Sequence, residues 1–332
     1  MNQISAAVVF QGPHQVGIGR LEMPPPRAGE IQIRTRYSGI SGGTEGHVLA
    51  GRFTWTPARF PCVPGYQRIG VIEALGDGIQ GWQLGQRVMA TAGSWEGQVQ
   101  PHWGAHVSLG NSPANEVYAC PETASDGDLA HAVVAQVGLN AASRVSNIAG
   151  HWVLVYGDGL IGQAAAQCAR LRGAKVILVG HRTDRLDLAR LHSADAVINS
   201  HGEDVRTAVL NCTGGSPVFA VLDSVQGESV QREYMALLEP GLGQVVYCGN
   251  SAGTTWADMA VLQQRELTTH FVSGWTRARL EATLALMATG QLRIEALVTH
   301  RVSFERSAQM YEVNAQKSIP HLGMTLDWTG AN

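Results

Sequence analysis

Cysteine is scarce and scattered. Five are present, Cys62, Cys120, Cys168, Cys212 and Cys248, an odd number with no two close in sequence. That argues against a disulfide framework and excludes a C-x-x-C zinc pattern; it predicts five reduced thiols packed mostly as small hydrophobes. Charge is also sparse, at 15% of residues with a net charge of -3. No Lys/Arg run or basic stripe exists, so nucleic acid is not expected as a partner. No apolar run approaches the roughly 18 residues that a membrane helix needs. The opening MNQISAAVVFQG lacks the charged-then-apolar design of a secretory signal. The expectation is a soluble, cytoplasmic protein with no membrane partner.

What the sequence does have is length and glycine. The 332 residues, 45% of them hydrophobic, suit two domains of about 150 residues. The 39 glycines are spread through the chain and indicate tight turns. Up to about residue 121, AAVVFQG, IQIRTRYSG, IGVIEALG and QRVMATAG each pair β-branched or alternating apolar residues with a turn signal, as in a compact β-rich domain. The loop-rich stretch from Trp95 to Val117 is expected to hold a last pair of strands. The pattern changes near Pro121. Asp126 to Val145 reads as helix, and then apolar strands alternate with helices, which implies a parallel sheet covered on both faces. The last stretches, ALVTHRV, FERSAQMYEV and GMTLDW, have no partner sheet of their own and are expected to return to the first domain. The predicted division is 1–121 with 277–332, and 122–276.

One turn carries chemistry. Gly157-Asp158-Gly159-Leu160-Ile161-Gly162 is a G-x-G-x-x-G that follows VLVY and opens a helix. Gly157 permits the tight turn, Gly159 lets backbone approach a pyrophosphate, and Gly162 allows close helix–strand packing. The N–H groups around Leu160 and Ile161 then face the phosphates. Gly249, near the end of GQVVYCGN, is placed with this site. The end of the next strand selects the dinucleotide. An acid there would bond a ribose 2′-hydroxyl, but the chain has Gly180, His181 and Arg182, with Arg185 shortly after. Two arginines suit the 2′-phosphate of NADP (NADPH), with Gly180 making room and His181 adding a donor. The alternative is that Arg182 and Arg185 are solvated surface charges.

The whole chain resembles the medium-chain dehydrogenase/reductase superfamily. SGISGGTEGH (38–47), PGYQRIGVIEALGDGIQGWQLGQRV (64–88) and the glycine loop carry the resemblance. It implies an α/β architecture, a GroES-like β-rich catalytic domain plus a Rossmann domain with a doubly wound parallel sheet. It further implies a homodimer paired through THFVSGW (269–275). Zinc-binding members place Cys where this chain has Ser41, and His and Glu where it has Tyr66 and Gln67; AQVGLN (135–140) offers no later ligand, and the structural zinc lobe is absent. A hydroxyl, a phenol and an amide do not replace thiolate, imidazole and carboxylate, so no zinc is expected. Among metal-free branches, SGIS-x-GTE, VPGY, LVTHR (297–301) and GMTLDW (323–328) are similar to the enzyme that oxidises the 3-(1-hydroxyethyl) group of a bacteriochlorophyllide. That resemblance extends to fold and chemistry, not to the substrate.

The resemblance places Thr44 at the hydroxyl position and His47 at the imidazole position of the family's proton relay. Tyr66 is then expected to donate to the reacting oxygen, Thr44 and His47 to connect it to solvent, and Ser41 and Gln67 to orient a small-molecule substrate. The alternatives are that Tyr66 only fills a vacated metal site and that His47 is a surface residue on a turn. Glu45 is expected to bond nearby backbone. Phe53, Trp55, Trp95 and Trp103 are either an apolar wall beside the expected interdomain cleft or ordinary core. Three functions remain open: an NADP-dependent alcohol dehydrogenase or ketone reductase, a reductase of an activated C=C or C=N bond, and a cofactor-binding protein without turnover.

Overall fold

The computed structural model describes residues 3–250 and 257–331. It divides into two compact units. The first runs to Ala132 and adds Met287–Gly290 and the tail from Val298; the second is Val133–Leu286 with Gln291–Leu297. The helical run expected from Asp126 to Val145 is two helices, Asp126–Leu129 and Ala132–Arg144, and the break between them lies at the division.

The first unit is β-rich. Strands Gln15–Met23, Gln3–Gly12, Cys62–Val63 and Gln100–Pro101 form one sheet in that order. The second sheet runs Val298–Ser303, Gly323–Asp327, Glu30–Ile40, Arg68–Leu75, Arg87–Ala90 and Val117–Ala119, with Leu109–Pro113 also on Glu30–Ile40. The tail thus completes this sheet, pairing Met324 with Ile40 and Asp327 with Tyr37. The alternation of Ile31 and Ile33, with Ile72, Val88 and Val117 behind them, builds one core cluster. A second gathers Phe10, Ile40, Phe304, Tyr311 and Trp328 around the short helix Gly42–Leu49. Arg68 is fully buried, and its guanidinium donates to Thr35 Oγ1 at 3.1 Å, Gly110 O at 3.0 Å and Ser112 Oγ at 2.8 Å. Burial pulls its pKa down to about 9, so it remains charged at neutral pH.

The second unit holds a six-stranded parallel sheet in the order Ala196–Asn199, Lys175–Gly180, Trp152–Tyr156, Ala220–Asp223, Gln244–Tyr247 and Thr268–Phe271. The strands WVLVY and, after its exposed Lys175, KVILVG run apolar because both of their faces are buried, as parallel sheets with crossover helices require. Leu154, Ile177, Val221, Val245 and Tyr234 centre its core. Asp204 caps the helix Val205–Thr213 by accepting from Thr207 N at 2.8 Å, and Gly214 ends it at φ 66°. Thr268–Phe271 forms the edge of this sheet, with Phe271 exposed. Among the described residues no helix is long and apolar enough to cross a membrane. All five cysteines are free; Cys62, Cys168 and Cys248 are buried.

Candidate functional site

The glycine loop is built as its spacing predicts. Gly157 turns at φ 112°, where a Cβ would stand 2.2 Å from Ser224 Oγ. A Cβ at Gly162 would stand 1.9 Å from Gly157 O, so the helix Leu160–Leu171 packs directly on the strand end. Gly159 caps this helix and has nothing within 4 Å of a built Cβ, leaving its backbone open to a ligand. Leu160 and Ile161 begin the helix half-buried. Gly249 joins the cluster, because a Cβ there would lie 2.6 Å from Ser224 O. Ser224 itself donates to Tyr156 O at 2.7 Å. It is the shared neighbour of three glycines, and no sequence signal marks it.

At the end of Lys175–Gly180, the space beside Gly180 is filled from an unforeseen direction. A Cβ on Gly180 would be 2.6 Å from the Asp158 side chain. The buried Asp158 carboxylate accepts from the backbone N–H of His181 and of Arg182, both at 3.0 Å. It also lies 3.4 Å from Arg185 Nη1 and 3.9 Å from Arg182 Nη1. Burial first, and then the neighbouring Arg182, lower the Arg185 pKa, while Asp158 opposes them. His181 stacks on His201 at 4.9 Å. Neither arginine is a solvated surface charge: their side chains are 21% and 10% exposed.

In the first unit, Tyr66 is buried and donates a short hydrogen bond to Ser41 Oγ. Thr44 is a second hydrogen-bonding neighbour of the phenol. Burial pushes the Tyr66 pKa up to about 12, aided by Glu45 and opposed by the bonds to Ser41 and Thr44. Glu45 does more than bond backbone. One carboxylate oxygen accepts from Ser41 N at 2.9 Å; the other takes His106 Nε2 at 3.0 Å and a short bond from Tyr311 OH. His106 Nδ1 reaches Ser38 Oγ at 2.8 Å, where Trp328 Nε1 also donates at 2.8 Å. His106, Tyr311 and Trp328 are the residues that sequence reasoning missed, since each comes from a distant segment.

The remaining expected residues lie in the same unit. Gln67 is fully buried and donates to Gly39 O at 3.2 Å, a bond within its own scaffold. His47 lies on the helix Gly42–Leu49 rather than on a turn; its Nδ1 is buried with no hydrogen-bond partner, and burial lowers its pKa. Trp103 meets the Tyr66 ring edge-on at 5.1 Å, and Phe53 packs on both Trp103 and Trp55. Trp95 instead packs with Val9, Leu21 and Val107 and donates to Val99 O at 2.8 Å. Among the described residues, no three His, Cys, Asp or Glu gather as metal ligands.

Known proteins agree with this architecture. A family model described as the alcohol dehydrogenase GroES-like domain matches residues 27–142, and one described as zinc-binding dehydrogenase matches 161–289. The chain is 26% identical over 329 residues to the starvation-sensing protein RspB of Escherichia coli strain K12, covering 91% of this chain and 93% of that one. It is 25% identical over 372 residues to an alcohol dehydrogenase of Cupriavidus necator, covering 96% and 97%. A crystal structure of RspB from Escherichia coli CFT073, a short chain alcohol dehydrogenase complexed with the cofactor NADH, has the same fold at TM-score 0.84, with 21% identity, 98% of this chain and 99% of that chain covered. With one family model on each half of its length, the chain belongs to the medium-chain dehydrogenase/reductase superfamily of alcohol dehydrogenase-like oxidoreductases.

Proposed function

We propose that the protein is a zinc-independent, NADP-dependent oxidoreductase that moves a hydride between the nicotinamide and a carbonyl or alcohol carbon of a small or flat organic substrate. The reading rests above all on Tyr66, a buried phenol bonded to Ser41 in the segment where zinc-binding relatives hold their metal. Ser41 Oγ and the Tyr66 hydroxyl are directed at each other, and the Gln67 amide is turned to backbone. Glu45 and His106 are bonded to one another and to Ser41, Ser38 and Tyr311. This donor set does not suit zinc, which takes thiolate, imidazole or carboxylate.

The second unit fits a dinucleotide. Gly157, Gly159 and Gly162 suit a pyrophosphate at the start of a helix, and His181, Arg182 and Arg185, which follow the strand end, are the groups that would meet a 2′-substituent, while the space beside Gly180 itself is taken by Asp158. Bound, the nicotinamide supplies the hydride. The protein's part is to stabilise the negative charge that grows on the substrate oxygen. A phenol that keeps its proton up to about pH 12 is a donor, not a base, at neutral pH. An alkoxide is more basic still, so the Tyr66 proton neutralises it as the hydride arrives, and in the oxidative direction the same phenolate takes the proton back. Ser41 and Thr44 hold the phenol in place, Glu45 fixes the Ser41 backbone, and Trp103 with Phe53 lines the approach with apolar rings. The edge strand Thr268–Phe271, with its exposed Phe271, supports a homodimer.

Tyr66→Phe tests the donor. NADPH consumption should be measured against a panel of ketones, enones and imines, beside NADPH affinity. Turnover of ketones should fall by about 100-fold or more with affinity unchanged. Unchanged turnover removes Tyr66 from the chemistry. Turnover of enones or imines alone would move the reaction to C=C or C=N reduction, and tight binding with no turnover would mark a sensor.

A further inference from the structure

Three charged side chains meet beside Gly180: Asp158 from the glycine loop, and Arg182 and Arg185 from the turn and helix that follow the strand. Asp158 is buried, and its carboxylate points at the backbone N–H groups of His181 and Arg182 and at the Arg185 guanidinium. It occupies the space where a side chain at position 180 would project. A dinucleotide site of this kind ordinarily takes its ribose-binding acid from the strand end. Here a carboxylate stands in that space but is turned inward and only 5% exposed, so it is not offered to a ribose hydroxyl.

The consequence is electrostatic. Two guanidiniums alone would present two positive charges to a 2′-phosphate that carries about two negative ones. With Asp158 among them, the cluster presents one. Arg185 is also the more committed of the pair, at 3.4 Å from the carboxylate against 3.9 Å for Arg182, and the less exposed. A 2′-hydroxyl is uncharged and is little affected by the difference.

We propose that Asp158 is a specificity-determining residue that restrains the preference for NADPH over NADH, by engaging Arg185 and leaving Arg182 as the main partner of a 2′-phosphate. This rests on the dinucleotide reading of the site. It places the determinant inside the G-x-G-x-x-G loop, ahead of the strand end.

The test is calorimetric titration of the full-length protein with NADPH, NADH, adenosine 2′,5′-bisphosphate and 5′-AMP. Asp158→Asn should raise the ratio of NADPH to NADH affinity roughly fivefold, the effect of deleting one charge a few ångströms away at a partly screened site. Adenosine 2′,5′-bisphosphate should follow NADPH, and 5′-AMP should not. A ratio that stays constant or falls in a variant that melts cooperatively overturns the proposal and leaves Asp158 a brace for the turn. A second pair leaves Asp158 intact: Arg182→Met should weaken NADPH binding more than Arg185→Met, and the reverse order also overturns it. If the unaltered protein binds NADH but no 2′-phosphorylated ligand, the NADP assignment itself fails. That outcome is distinct from a failure of Asp158 to tune it.

Discussion

Acid should weaken the first unit through one imidazole. His131, in the turn that follows the helix Asp126–Leu129, is fully buried, with Nε2 2.9 Å from Thr325 Oγ1 and Nδ1 without a partner. A Cβ on Gly39 would stand 2.8 Å from its ring, so the imidazole packs directly against the backbone of the strand Glu30–Ile40. Burial, with Arg301 nearby, pulls its pKa from 6.5 down to about 4. The folded state therefore refuses a proton that the unfolded chain accepts. Stability is fully present above pH 6.5 and is lost as pH falls towards 4. The whole window is worth about 3 kcal/mol, and the part between pH 7 and pH 5 about 2 kcal/mol. Urea denaturation followed by tryptophan fluorescence at several pH values measures this directly. His131→Gln can still bond Thr325 but cannot titrate, so its stability should fall by about 2 kcal/mol less over the same two pH units. His47 and His102, whose pKa values burial also lowers, remain in both proteins and cancel in the comparison. Parallel pH profiles for the two proteins would refute the reasoning.

Two further substitutions probe the sites. Gly162→Ala drives a methyl into Gly157 O and should cost about 2 kcal/mol while weakening NADPH binding more than tenfold, because the loop must move; calorimetry showing unaltered affinity would mean that the loop is not the dinucleotide site. Glu45→Gln removes one of two acceptor oxygens shared by Ser41 N, His106 Nε2 and Tyr311 OH, and should lower stability by about 2 kcal/mol in urea denaturation. No change would show that these buried groups find other partners.

The parts of the fold that sequence could reveal are those with local causes. The parallel sheet showed itself because strands buried on both faces become continuous apolar runs, and the glycine loop because crowding at Gly157 and Gly162 strongly favours glycine. The return of GMTLDW was expected from its lack of a partner sheet, and it pairs with Glu30–Ile40. The Glu45 network was hidden, since His106 and Tyr311 lie 61 and 266 residues away and no spacing rule links them. Asp158 was hidden for another reason. It occupies a variable position of a motif whose glycines draw the attention, and its reach to His181 and Arg182 depends on the missing side chain at Gly180.

The placement of Gly323–Asp327 between Glu30–Ile40 and Val298–Ser303 bears on how the protein is born. A ribosome makes Glu30–Ile40 early and its neighbour only after the entire second unit has been made. Until then the nascent first unit carries a bare hydrogen-bonding edge and lacks the Trp328 indole that donates to Ser38. The segment inserted later in the chain can close its own sheet first, and the unit begun first is the one finished last.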